Sequence, residues 1–220
     1  MNTLIEPADA SNTSSSWWKR NRLWLALLVP LLALALVAST YRLVTLYLPW
    51  QWSSPIVAHS SQGTLKQHYL ELDGVERDRE VTVRVVSLEP RETVNDLVAV
   101  PGATLWRIEL EFEADPDQFL DSCDIELVDA AGNRYDFRSG VVSAKEYGYS
   151  PNRFVLSCVP EDTPGPKVVP FTSEVLEPEV QRPRTWTSEI LIAVPDGVTP
   201  TEVRVAWAQP VFLVLQAPAS

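Results

Sequence analysis

Cys123 and Cys158 are the only thiols in a chain of 220 residues, and a thiolate is the most versatile group the sequence offers. It can attack, ligate a metal or close a disulfide, and its compartment and neighbours decide which. Cys123 alternates with Ile125 and Leu127, and Cys158 with Phe154 and Leu156, so each belongs to the apolar face of an expected strand. Where such faces look inward from adjacent or opposed strands, the two sulfurs meet. An oxidising compartment then favours a Cys123–Cys158 disulfide, worth roughly 3–4 kcal/mol for a closed loop of about 35 residues. The nucleophilic alternative needs a base and a cation. Only His59 and His68 are present, and the arginines nearest Cys158 are Arg153 and Arg182.

Carboxylates supply the other candidate chemistry. Asp115, Asp117, Asp121 and Asp124 are dense enough to suggest calcium, but the spacing fits no calcium loop and lacks its turn glycine. Glu161-Asp162 and Glu174/Glu177 fall in expected loops without a pocket signature, so acid–base hydrolysis gains no support. The chain has no phosphate loop, dinucleotide glycine pattern, zinc helix or serine elbow. The sequence therefore calls for no cofactor, metal or catalytic residue.

What must position these residues is set by residues 23–52, LWLALLVPLLALALVASTYRLVTLYLPWQW. Residues 23–38 carry no charge, and about 20 such residues cross a bilayer core of about 30 Å as a helix. Lys19, Arg20 and Arg22 stand before the run, and basic flanks stay preferentially in the cytoplasm. Trp17, Trp18 and Trp24 mark one interface; Tyr47, Trp50 and Trp52 mark the other. The expected order is a disordered cytoplasmic tail (1–22), a transmembrane helix (23–50), a juxtamembrane linker (51–63) and an extracytoplasmic β domain (64–220). Cleavage near Ala38, as in a signal peptide, is the competing expectation. It would leave an apolar N-terminus at 41–52.

Charge is unevenly divided. Of 18 basic and 29 acidic residues, residues 1–52 hold four and two, so the remainder carries −13 of the net −11. Such a domain excludes nucleic acid as a partner and does not favour lying flat on anionic lipid.

From residue 64 onward, period-2 alternation replaces helical spacing. Trp106, Ile108, Leu110, Phe112 and Ala114 interleave with Arg107, Glu109, Glu111 and Glu113, which makes a strand with one wet face. Val81, Val83 and Val85 alternate until a slip at Val85-Val86 that predicts a bulge. Ile190, Ile192 and Val194 form another face, and Val203, Val205 and Trp207 a further one. Residues 211–215 are apolar on both faces, hence central or well covered. About eight strands with intervening turns indicate a two-sheet antiparallel sandwich. Its long connections, 138–151 and 161–185, with their flanks place Tyr147, Tyr149, Phe171 and Trp186 as aromatic residues suited to a partner surface.

A strand-end cysteine behind one N-terminal anchor is similar to the sortase transpeptidases. The match stops there, because neither histidine stands in a sortase-like motif. A broader resemblance rests on residues 104–112 (TLWRIELEF), 123–135 (CDIELVDAAGNRY), 158–166 (CVPEDTPGP) and 190–195 (ILIAVP). Together these resemble membrane-anchored actinobacterial envelope proteins of unknown function, whose domain is similar to that of secreted mycobacterial immunogenic proteins. The resemblance implies an immunoglobulin-like sandwich and a cell-envelope address, and it supplies no catalytic residue. The expectation is a single-pass protein, in contact with membrane lipid through its helix, that binds or scaffolds another envelope protein. An envelope enzyme or metal-dependent module is the alternative.

Overall fold

The computed structural model describes residues 13–47, 51–145, 156–170 and 172–218. The chain divides into two compact units, Met1–Trp50 and Gln51–Ser220.

The first unit is a helix, α1 (Thr13–Arg42), continued by a π-helical turn at Leu43–Tyr47. One stretch within it, Trp17–Thr45, is long and apolar enough to cross a membrane, with a mean hydropathy of 2.3 and none of it buried. Helix begins ten residues before the apolar run, so residues 13–22 are not the disordered tail expected of them: nothing between 13 and 29 breaks the helix, and Lys, Arg and Leu are good helix formers. Pro30 is held inside α1. At the far end the Thr45 hydroxyl donates to the Tyr41 carbonyl at 2.6 Å, a side-chain bond that competes with the backbone ladder where it widens to π geometry.

The second unit is almost wholly β. Its strands are β1 (Ser54–Val57), β2 (Gln62–Leu70), β3 (Glu76–Arg91), β4 (Leu97–Ala99), β5 (Ala103–Ala114), β6 (Ser122–Asp129) and β7 (Arg134–Asp136). There follow β8 (Val141–Ser143), β9 (Leu156–Ser157), β10 (Lys167–Val168), β11 (Val175–Leu176), β12 (Thr185–Pro195), β13 (Pro200–Ala206) and β14 (Val211–Gln216). One large sheet runs β12-β5-β3-β2; the other runs β1-β14-β13-β6-β7, with β9 also on β6. Leu65, Val83, Ile108, Phe112 and Ile192 from the first share a buried core with Ile125, Leu127, Val205, Leu213 and Leu215 from the second, a sandwich-like arrangement. Two short sheets, β4-β8 and β10-β11, stand outside it. The β4-β8 pair covers Leu105 and Leu191 on the outer face of β5 and β12.

Period-2 expectations for the long strands hold. The Trp106-to-Ala114 face is buried, and Arg107 and Glu111 on the opposite face pair with Glu189 and Arg84 at 2.5 and 2.8 Å. Register shifts between Val85 and Ser87, leaving Val86 as the extra, exposed residue of a bulge. At the β6–β7 turn, Asp129 accepts from the Ala131 and Asn133 amides and from the Tyr135 hydroxyl, all at 2.9 Å. These donors, led by the Asn133 side chain, hold its carboxyl below the usual carboxylate range. β14 is buried on both faces, Phe212 and Val214 being covered by Ala206 and Trp52.

Two expectations are corrected. Residues 51–63 are not a linker: β1 and the start of β2 occupy them, and the Ser53 and Ser54 amides donate to the Pro210 carbonyl. Nor is the body purely antiparallel, since β1 pairs with β14 in parallel. Pro55 explains why β1 sits at the sheet edge, where a missing donor can face away from the ladder.

Candidate functional site

The cysteines are joined. β6 and β9 pair antiparallel with Cys123 opposite Leu156, which places Cys158 diagonally across from Cys123 at a Cα separation of 5.8 Å. Both are buried and disulfide-bonded, so neither carries a thiolate. The Trp186 indole donates to the Cys158 carbonyl at 2.7 Å and its ring stacks on Phe112 at 5.6 Å. Trp186 is only 6% exposed, so it is a core residue and drops out of the proposed partner surface. Tyr147, Tyr149 and Phe171 lie outside the described residues.

His68 stands on the wet face of β2. Its ring nitrogens lie 2.9 Å from Asp78 and 3.5 Å from Glu76, and the Asp78 hydrogen bond raises its pKa. His59 is exposed between β1 and β2. Asp115 accepts from the Asp117 amide at 3.2 Å, Asp117 from the Gln181 side chain at 3.2 Å, and Asp124 pairs with Arg138. Among the described residues no three His, Cys, Asp or Glu side chains converge as a metal site.

What the strands do bring together is a set of arginines and aromatic rings at one end of the body. The inner phase of β3 that carries Val81, Val83 and Val85 also carries Arg77 and Arg79. Arg79 is buried; its guanidinium lies 3.9 Å over the Tyr69 ring and donates to the Phe119 carbonyl at 2.7 Å. Trp207 continues the row, meeting Phe112 edge-on at 6.1 Å, and Phe112 stacks on Trp186. Arg182 closes it, 4.8 Å over Trp186 and 1% exposed. Its fork donates to the carbonyls of Pro164 (3.0 Å), Asp115 and Gln118 (both 2.9 Å). Burial lowers its pKa to about 10, which leaves it charged at neutral pH. Gly165 passes so close that a Cβ there would lie 2.6 Å from the guanidinium, and its φ of +83° suits glycine. Nearby, the Gln118 amide bonds both backbone groups of Glu80 at 2.8 and 3.0 Å, standing in for β5 after it ends.

These contacts tie Pro164 and Arg182 to the 115–119 segment, beside the β2–β3 hairpin. At its tip, Arg77 grips Asp73 through both oxygens at 2.7 and 2.6 Å, and the Val75 amide donates to the same carboxylate at 3.0 Å. The guanidinium holds the Asp73 carboxyl at about 2, against an ordinary 3.8. A depressed carboxyl pKa stabilises the fold above its unfolded value, and that contribution disappears as pH falls through the folded one. The Val75 amide resonance is therefore expected to titrate with a midpoint near pH 2 and to stay flat from pH 4 to 7. A midpoint near 4 would refute the pairing.

A shallow depression of about 550 Å³ on this hairpin is lined by Lys66, Gln67, His68, Asp78, Arg79, Glu80 and Gln118. It is open and charged rather than the enclosed apolar cleft that small ligands favour. The signal that could have found Arg77 and Arg79 is that both continue the buried phase of β3 below Val81, where the expected alternation began; nothing local distinguishes Arg182. Comparison with protein-family models, with curated proteins and with solved structures returns no match in any of the three.

Proposed function

We propose that this is a single-pass membrane protein, N-terminus in the cytoplasm, that presents an immunoglobulin-like domain outside the membrane to bind or scaffold another envelope component. The observation that carries this reading is the pairing of an unburied, apolar α1 with a disulfide-stapled β body in one chain. Disulfides persist in oxidising compartments, and Lys19, Arg20 and Arg22 at the early end of the span favour that end staying inside. The facing sheets and the parallel pairing of first and last strands support the immunoglobulin-like topology. The resemblance to actinobacterial envelope proteins belongs to the same proposal.

Two measurements test it. A cysteine placed by Ala130→Cys in the exposed β6–β7 turn should react with a membrane-impermeant maleimide on intact cells; one placed by Ser11→Cys should react only after permeabilisation. The reverse pattern overturns the orientation, and loss of an N-terminal tag from the mature protein overturns the retained anchor. Chemical crosslinking in intact membranes, read by mass spectrometry, should join the body to an envelope protein. Finding none overturns the scaffold.

A further inference from the structure

The β2–β3 hairpin ends in side chains the fold does not use. Leu70 is 67% exposed, Leu72 66% and Val75 50%, although the same hairpin buries Leu65 and Val81 completely. The Ser173 hydroxyl donates to the Leu72 carbonyl at 3.3 Å, which brings Val175 and Leu176 of the β10-β11 hairpin, both partly exposed, into the same neighbourhood. The two hairpins thus touch at this tip, and each exposes apolar side chains. The tip is a fixed feature, because Arg79, Arg77 and Asp73 lock the strands beneath it.

Its location is set within the β body. The Gln67 amide donates to the Ala208 carbonyl at 3.0 Å, and the chain enters the body at Ser53 and Ser54, both bonded to Pro210. Leu70 lies three residues, about 10 Å of strand, past the Gln67 bond. The tip therefore overhangs the end at which the chain arrives.

Charge selects among occupants. Glu71, Glu76 and Asp78 surround the apolar residues on one hairpin; Glu174, Glu177 and Glu179 lie on or just after the other. Of the lysines and arginines in these hairpins, Arg77 is closed onto Asp73, Arg79 is buried, and Lys66, Arg84 and Arg91 pair with Glu80, Glu111 and Glu89, which leaves Lys167. A second copy would bring the same acids face to face. An anionic bilayer surface repels them as well. A basic, amphipathic protein segment satisfies both the apolar tip and its acidic surround.

We infer that the tip formed by Leu70, Leu72 and Val75 with Val175 and Leu176 docks a basic amphipathic segment of a membrane-proximal protein. This rests on the function proposed above and names its surface. The experiment uses the full-length chain in its native membrane, with p-benzoylphenylalanine at Leu72 and, as a control, at Ala130 in the turn at the other end of β6. Irradiation should give a discrete protein adduct at least fivefold stronger from Leu72 than from Ala130. The captured peptide should carry net positive charge and lie within a few tens of residues of a membrane span. The pair Glu71→Lys and Glu76→Lys should cut the adduct at least fivefold without moving the thermal midpoint. Adducts with lipid alone, with a second copy or with an acidic peptide overturn the inference, as do equal yields at both positions or indifference to charge reversal. Chemical crosslinks that map elsewhere on a correctly oriented body, with none at Leu72, defeat this surface and leave the scaffold standing.

Discussion

Replacing both cysteines, C123A with C158A, is expected to cost about 3–4 kcal/mol of stability through the lost cross-link alone. The bridge spans 35 residues, and a cross-link of that length removes most of its value from the unfolded chain rather than adding it to the native one. Two further losses point the same way. Both side chains are buried in the main core, so truncation leaves a void, and Cys158 offers its carbonyl to the Trp186 indole. Denaturation in urea, fitted for midpoint and slope, reads the total. A steeper slope in the variant would report the more expanded unfolded chain. The Trp186 indole proton should also exchange faster, because the segment that carries its acceptor is no longer tied to β6. A loss below 1 kcal/mol would mean that packing alone holds residues 156–160.

Arg182→Ala is expected to cost about 3–5 kcal/mol, on a different principle. The side chain is a charge in the core, a poor way to gain stability, but its removal takes a buried donor from three carbonyls at once, of which that of Asp115 keeps a second, the Gln118 amide at 3.2 Å. Arg182→Lys separates the two parts of the argument. Lysine keeps the charge and the stem against Trp186, yet a single ammonium cannot reproduce a planar fork spanning Pro164, Asp115 and Gln118. It should recover less than half of the loss. Arg184→Ala, two residues on with its side chain mostly in water, is the control and should fall within about 0.5 kcal/mol of wild type. Equal stability of the Lys variant and wild type would show that charge, not geometry, is what the site requires.

The contrast between Arg182 and Arg184 shows where sequence reasoning reaches and where it stops. β5, β6 and β12 are legible because each has one wet face, so the buried face leaves a period of two. The apolar stretch within α1 is legible from length and hydropathy alone. β1 is not, because four residues with a proline carry no period, and its pairing partner lies at the other end of the body. β10 and β11 are two residues each, too short for a pattern. Arg79 was readable in principle: it keeps the phase of Val81 and Val83, but a charged residue in a buried phase reads as an interruption until its aromatic neighbours are placed. Trp186 misleads in the opposite direction. An aromatic residue at the end of a long connection suggests a contact surface, and the structure turns it inward onto Phe112.

The parallel clasp of β1 on β14 sets an order of events. A chain made from its N-terminus delivers β1 first of all the strands and β14 last, so the first strand waits for the whole body before it gains its ladder. Contacts of such wide sequence separation form slowly, and until they do β14 has no strand on one side. Completion of the body is thus recorded at residues 51–57, its first described segment. A protease or chaperone would meet that unclosed segment in every unfinished molecule and lose sight of it in every finished one.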